Sequence, residues 1–142
     1  MKRVVVASGY FNPIHVGHIN LMAEAKKIGD YLVVIVNNDE QVKLKGSCPF
    51  MPELERMEIV KSIKFVDEVF LSVDKDKSVS ETLRALTKIY PGELFFANGG
   101  DKNLENIPEV KTCEELNIKI INGVGGDKVQ SSSWLLSKTN KN

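Results

Sequence analysis

The 142-residue sequence has little cysteine, histidine or tryptophan: two cysteines, two histidines and a single tryptophan. Cys48 and Cys113 lack the spacing of metal ligands, and two thiols cannot build a disulfide framework. We interpret both as ordinary thiols in a reducing compartment, and we expect a cytoplasmic protein. This scarcity excludes the disulfide-rich secreted class and the cysteine-based zinc modules.

Long apolar runs and an excess of charge are also missing. Nineteen Lys and Arg residues balance nineteen Asp and Glu residues, so no overall field attracts nucleic acid or an anionic membrane. The N-terminal valine run stops at Ala7, short of the ~7–15 residues of a signal-peptide core. No run approaches the ~20 apolar residues of a membrane span. We therefore expect neither nucleic-acid nor membrane partners, and any phosphate site must come from locally placed groups.

The sequence does contain alternating apolar runs and amphipathic segments. Five strands are predicted, at 3–7, 31–37, 67–73, 94–97 and 118–121. Helices are predicted at 16–28, at 52–63, after a capping box at 78–81, at 110–116 and at 131–137. This order predicts one α/β domain over residues 1–142, with a Rossmann-like, doubly wound parallel five-stranded sheet and helices on both faces.

Ligands of such sheets bind beyond the carboxyl ends of the strands. The first of these ends is followed by "SGYFNPIHVGH", which holds both histidines of the chain, His15 and His18. Their spacing puts both rings at one edge of a helix's first turn, where free backbone N–H groups already favour anions. Gly9 permits a tight turn or close backbone approach to a ligand, and Gly17 leaves space beside the rings. A metal site is the alternative, but no third protein ligand is evident, so no metal ligand is predicted.

"GYFNPIHVGH" resembles the His-x-Gly-His signature of the nucleotidyltransferase superfamily, especially its small cytidylyltransferase-like members. Four later blocks resemble that family in the same order: "KLKG", "ERMEIVKSIKFVDEV", "NGGDK" and "GVGGDKVQSSSWLL". The resemblance implies that an acceptor's phosphate attacks the α-phosphorus of a nucleoside triphosphate and releases pyrophosphate, without a covalent enzyme intermediate. It also implies Mg²⁺ carried by the triphosphate, without a confident protein ligand, and a possible homodimer.

The resemblance also implies roles for individual residues. His15 and His18 would hold the triphosphate and stabilise the charge of the transition state, together with Lys45 and Ser132. Asn12 and Arg56 would face the acceptor, Arg56 through a bidentate contact to its phosphate; a surface ion pair with Glu53 is the alternative. The remaining nucleotide contacts are expected from Gly9, Tyr10, Phe11, Gly17, Lys43, Asn98, Gly99, Asp101, Lys128, Ser131 and Ser133.

Three functions remain open. Tyr10 stands where the family usually has a small hydroxyl residue, and Asn12 where aspartate is common. The later blocks favour transfer of CMP from CTP to a sugar-phosphate, alditol-phosphate or phosphonate acceptor. "FNP" also resembles the adenylyltransferases of dinucleotide cofactors, so AMP transfer to a mononucleotide, pantetheine phosphate or flavin precursor is the alternative. A nucleotide-binding module without turnover is the third.

Overall fold

A computed structural model describes residues 3–99 and 108–124 of the chain. Within these residues the strands are β1 (Val4–Gly9), β2 (Tyr31–Val36), β3 (Glu68–Leu71), β4 (Leu94–Gly99) and β5 (Lys119–Val124). The helices are α1 (Val16–Ile28), α2 (Asp39–Leu44), α3 (Glu53–Lys61), α4 (Ser80–Ile89) and α5 (Glu109–Leu116). All strand pairs are parallel, in the order β3-β2-β1-β4-β5, which confirms the predicted Rossmann-like α/β sheet.

Strand β1 lies at the centre of the sheet. It pairs with β2 from Val4 opposite Tyr31 to Gly9 opposite Val36, and with β4 from Val4 opposite Leu94. The valines of β1 and β2 are almost fully buried because helices cover both faces of the sheet. The carboxyl end of β1 therefore lies beside the carboxyl ends of β2 and β4. The loop that carries both histidines begins at this edge of the sheet.

Two separate cores hold the sheet, since successive residues of a strand point to opposite faces. One core joins the sheet to α4 and α5 and includes Val4, Val6, Val33, Ile35, Leu83, Leu86 and Cys113. The other joins the sheet to α1 and α3 and includes Val5, Ala7, Val34, Val36, Met22, Ala25 and Val60. Each valine, leucine, isoleucine or methionine among them contributes about 1.5–3 kcal/mol when it is fully buried. The loops at the carboxyl edge therefore start from a well-anchored frame.

The predicted capping box at 78–81 is wrong. Helix α4 begins at Ser80, and its backbone N–H groups at Glu81 and Thr82 bond instead to the carboxylate of Asp74, at 2.7 and 2.9 Å. The Ser78 hydroxyl donates to Asp76. A carboxylate offers two acceptor oxygens to orphan N–H groups, whereas a serine offers one, so the upstream aspartate takes the place of the cap.

Helix α2 was not among the predicted elements. It begins after Asn38, whose side chain accepts from the Gln41 N–H while the Gln41 side chain accepts from the Asn38 N–H. These two reciprocal hydrogen bonds form a capping box, and the helix that follows has only six residues. Lys45 forms the carboxyl cap of α2. Within the described residues no helix is long and apolar enough to cross a membrane.

Candidate active site

The two histidines form one unit at the start of α1. His15 is the N-cap of the helix, and its Nδ1 accepts the backbone N–H of Gly17 at 3.1 Å. His18 Nδ1 accepts the backbone N–H of His15, also at 3.1 Å. The two rings stack with their centroids 3.8 Å apart and their planes 25° apart. Both side chains are half-buried, so the pair lies at the surface of the sheet's carboxyl edge rather than inside a core.

The hydrogen bonds fix the protonation of the pair. An imidazole whose Nδ1 accepts a hydrogen bond is neutral and carries its proton on Nε2. Burial, followed by the electrostatic effects of the adjacent His15 ring and of Lys45, lowers the pKa of His18 from its ordinary 6.5 to about 3. The neutral tautomer leaves each ring with an Nε2–H as donor. Two such donors beside a helix N-terminus form an arrangement suited to phosphate oxygens.

Phe11 supports the histidine pair from below. Its side chain is 1% exposed, belongs to the core under α1, and contacts the His18 ring edge-on at 4.8 Å between centroids. Its φ of 51° lies in the left-handed region, which is unusual for a bulky residue. A Cβ on Gly9 would lie 2.7 Å from the Phe11 ring, so glycine is required there to admit the ring. The burial of Phe11 keeps its ring from stacking on a nucleotide and gives it a supporting role under His18.

Lys45 extends from the end of α2 to the histidine loop. Its Nζ lies 4.4 Å from the centroid of the Tyr10 ring, and its charge contributes to the low pKa of His18. The Tyr10 hydroxyl donates to the Lys77 carbonyl at 3.5 Å, and burial with nearby Glu109 and Asp76 raises its pKa. Lys43 instead points to Glu40, at 3.3 Å on the exposed side of α2. This arrangement favours Lys45 over Lys43 for the reacting phosphates.

Arg56 does not occupy the position that its predicted role requires. The sequence predicts a guanidinium open to an acceptor phosphate, but the side chain is 0% exposed and its donors are engaged within the protein. Its partners are the carbonyls of Tyr10, Asn37 and Met51 and the carboxylate of Asp39. A bidentate contact to a phosphate would break several of these bonds. The predicted alternative, an ion pair with Glu53, is replaced by the pair with Asp39.

The sequence also predicts that Asn12 contacts the acceptor. The structure buries it, at 3% exposure, and uses both ends of its amide. Its Nδ2 donates to the Cys48 carbonyl at 2.9 Å, and its Oδ1 accepts from the Phe50 N–H. Asn12 therefore ties the segment between α2 and α3 to the histidine loop, and its burial shields the amide from an acceptor.

The far side of the edge is formed by the ends of β4 and β5. Asn98 Nδ2 donates to Asn122 Oδ1 at 3.0 Å, which joins the two strand ends. A Cβ on Gly99 would lie 3.3 Å from Leu21 and from the Val124 carbonyl, so the strand end packs closely on α1 and β5. The other predicted residues of this side lie outside the described residues: Asp101, Lys128, Ser131, Ser132 and Ser133.

The signal for the structural roles of Asn12 and Arg56 was weak in the sequence. Both are polar residues next to the motif, and polar residues at a site favour ligand contact as a first interpretation. Their use of backbone carbonyls and N–H groups depends on loops that are distant in sequence, from residue 37 to residue 51. In the described residues no group of three or more His, Cys, Asp or Glu side chains could hold a metal ion.

The comparisons with known proteins agree with this geometry. The family model for cytidylyltransferase-like proteins matches residues 6–133, from the first strand through the third serine of the last motif. The chain belongs to this family. Membership of the cytidylyltransferase-like family confirms the nucleotidyltransferase superfamily that the His-x-Gly-His motif indicates.

Relatives within the family differ in how much of their length is matched. An FAD synthase of Ferroglobus placidus is 50% identical over 76 residues, which cover 54% of this chain and 49% of that protein. An FAD synthase of Pyrococcus horikoshii is 33% identical over 118 residues, 82% of this chain and 77% of that protein. The match thus spans about half of the first relative and about three quarters of the second.

A solved structure extends the likeness to three dimensions. The crystal structure of a lipopolysaccharide core biosynthesis protein from Thermoplasma volcanium has a TM-score of 0.68 and 25% identity to this chain. The match covers 86% of this chain and 96% of that one. The fold of this chain is therefore shared by proteins whose names refer to different products, FAD and the lipopolysaccharide core, and the acceptor must be inferred separately.

Proposed function

We propose that the protein is an adenylyltransferase that makes FAD from ATP and FMN. The observation that carries the proposal is the similarity to two FAD synthases, at 50% and 33% identity. It favours AMP transfer, the alternative of the sequence analysis, over the CMP transfer that the later motifs favoured. We attribute the preference for CMP transfer to motifs that are shared across the cytidylyltransferase-like family and carry little information on the base.

In the proposed reaction, an oxygen of the FMN phosphate forms a bond to the α-phosphorus of ATP. The bond between the α-phosphorus and the oxygen that bridges to the β-phosphorus breaks, and pyrophosphate leaves. Such a transfer needs in-line positioning and charge stabilisation rather than a protein nucleophile. Hydrogen-bond donors that are held in place and directed at the developing charge are the most effective source of this charge stabilisation.

The described residues provide such donors. The Nε2–H groups of His15 and His18 are held by hydrogen bonds at the opposite ring nitrogens, so they bind phosphate oxygens without reorganising. Lys45, whose ammonium lies over the Tyr10 ring, adds a positive charge beside them. In this proposal the histidines donate hydrogen bonds as neutral groups, and no proton moves to or from His18.

Mg²⁺ is proposed to enter with the triphosphate. The described part of the edge offers two neutral imidazoles and a lysine, a donor set that suits phosphate oxygens rather than a cation. When bound, the ion would neutralise part of the triphosphate charge, held mainly by phosphate oxygens and water.

A panel of substrates tests the proposal. Purified protein is incubated with ATP, CTP, GTP or UTP and with FMN, glycerol phosphate, a sugar phosphate, nicotinamide mononucleotide or phosphopantetheine, and pyrophosphate release is measured. We expect release with ATP and FMN, with FAD as the product seen by chromatography. Turnover with CTP and a sugar or alditol phosphate, but not with ATP and FMN, would overturn it in favour of CMP transfer. Binding without pyrophosphate release in any combination would identify a non-catalytic module.

A further inference from the structure

Arg56 is a fully buried side chain at the carboxyl edge that makes four hydrogen bonds within the protein, and its role is not explained by ligand binding. Its Nε donates to the Met51 carbonyl at 3.0 Å, its Nη1 to the carbonyls of Tyr10 and Asn37 at 2.7 Å each, and its Nη2 to Asp39 Oδ1 at 2.6 Å. Burying a charge is costly unless it is paired and hydrogen-bonded. This guanidinium meets that condition by joining three loops that meet at the edge.

The bond to Asp39 connects Arg56 to helix α2. Asp39 is the first residue of α2, and its N–H donates to Glu53 Oε1 at 2.8 Å while the Glu53 N–H donates back to Asp39 Oδ2 at 3.3 Å. The first turns of α2 and α3 are therefore fastened to each other, with Arg56 as the third member. Lys45 caps the other end of α2, about 9 Å along the axis at 1.5 Å per residue. A fixed position for Asp39 therefore also fixes the backbone position of Lys45.

The bond to the Tyr10 carbonyl connects Arg56 to the histidine loop. Tyr10 follows β1 directly, and its ring lies 4.4 Å below the Lys45 ammonium. One guanidinium therefore holds the backbones of both partners in this cation–π contact: Tyr10 through its carbonyl, and Lys45 through Asp39 and the short helix.

We propose that Arg56 is a positioning residue that sets the Lys45 ammonium over the Tyr10 ring and beside His18. The inference rests on the proposed function only in that Lys45 then faces the triphosphate. It replaces the direct acceptor contact that the sequence predicts for Arg56. Lysine cannot take over this role, because an ammonium lacks the planar fork that bonds carbonyls on several sides at once.

The first experiment measures the position of Lys45 without substrate. In protein with ¹³C-labelled lysine, the ε-methylene signal of Lys45, assigned by its loss in Lys45→Arg, is shifted upfield if the ammonium lies over an aromatic face. We expect this shift in the wild type, its loss in Tyr10→Leu, and its loss or reduction by at least half in folded Arg56→Lys.

Two further variants keep the test decisive. Asp39→Asn retains the guanidinium but weakens its link to α2, and it is used if Arg56→Lys does not fold; an intermediate upfield shift is expected. Asp67→Asn is the matched control, because Asp67 accepts from the Leu32 N–H at the opposite edge of the sheet and its loss should leave the Lys45 signal unchanged. A Lys45 signal unchanged in folded Arg56→Lys and Asp39→Asn would overturn the proposal.

Kinetics then separate positioning from stability. Where a substrate pair turns over, we expect Arg56→Lys to lower kcat at least tenfold and to make the additional effect of Lys45→Met less than about twofold, since the lysine is already misplaced. A lower Tm with unchanged kcat in the folded fraction, or effects of the two substitutions that simply multiply, would show a purely structural role. Absence of turnover with ATP and FMN would count against the proposed function alone, because the NMR result does not depend on it.

Discussion

The His18 ring stacks on the His15 ring while its Nδ1 accepts the His15 backbone N–H. The histidine that ends the motif thus caps the residue that begins it, and each imidazole holds the orientation of the other. The Phe11 ring contacts His18, and Gly9 leaves the space that this ring needs. The motif therefore holds both imidazole rings in one preformed orientation.

The first prediction concerns pH and stability. The pKa of His18 in the folded protein is about 3, below its ordinary 6.5, so between these values the unfolded chain binds a proton that the folded chain does not. The stabilising contribution is complete above pH 6.5 and is lost as the pH falls from 6.5 towards 3. We expect the free energy of unfolding to fall in this range by up to about 1.4 kcal/mol per pH unit more in the wild type than in His18→Gln. Urea titrations from pH 7 to pH 4 measure it, and equal slopes would contradict the low pKa.

The second prediction concerns His18 in turnover. His18→Ala removes a donor that we propose for the reacting phosphates, and we expect kcat to fall about 10²-fold or more. The loss of its hydrogen bond to the His15 N–H should lower stability by only about 1 kcal/mol. Exposed Ile19→Ala, on the next residue, is the control and should keep kcat within about twofold. A large fall in Tm with normal activity of the folded fraction would assign His18 to structure.

The third prediction separates the two lysines of α2 and its cap. Lys45→Ala should lower kcat/KM for the triphosphate by at least tenfold, because it removes the charge beside His18. Lys43→Ala should change it less than about twofold, since Lys43 forms an exposed ion pair with Glu40 that contributes at most about 1 kcal/mol. Initial rates at varied ATP, with FMN saturating, compare the two variants. The reverse ranking would place Lys43, not Lys45, at the phosphates.

The fourth prediction concerns Gly9. Its substitution by alanine brings a Cβ to 2.7 Å from the Phe11 ring, and such overpacking typically costs about 1–3 kcal/mol. We expect Gly9→Ala to lower both Tm and kcat, because the Phe11 ring also supports His18. The double variant Gly9→Ala with Phe11→Leu should recover part of the stability lost in Gly9→Ala. Failure to recover any of it would show that the glycine is required by a ligand or the backbone instead.

The sequence predicted the frame and the histidine pair well for physical reasons. The apolar run from Tyr31 and the period of α1 depend on local burial, and β-α alternation leaves few topologies. Gly29 follows the predicted last residue of α1 and is needed there for space rather than for φ, because a Cβ would lie 2.6 Å from the Arg3 carbonyl. A histidine pair at a strand end is also a local pattern.

The sequence did not predict the second layer of the site. Arg56 and Asn12 bind backbone groups of remote loops, and no spacing in the sequence reveals which carbonyl a side chain will meet. The prediction of the α4 cap failed for the same reason, because the side chain that bonds to the first N–H groups of α4 is Asp74 in the preceding loop. Choice of base and acceptor was equally inaccessible, since triphosphate motifs are common to enzymes with different partners.

Main-chain carbonyls make up three of the four groups that bind the Arg56 guanidinium. Every amino acid has the same main-chain carbonyl. The side chains at Tyr10 and Met51 can therefore change while the hydrogen bonds from Arg56 to their carbonyls are retained. The identity of these two side chains is in this way uncoupled from the guanidinium bonds that hold the loops together. Substitution at either position should therefore leave the fold intact, although loss of the Tyr10 ring should still remove the contact with Lys45.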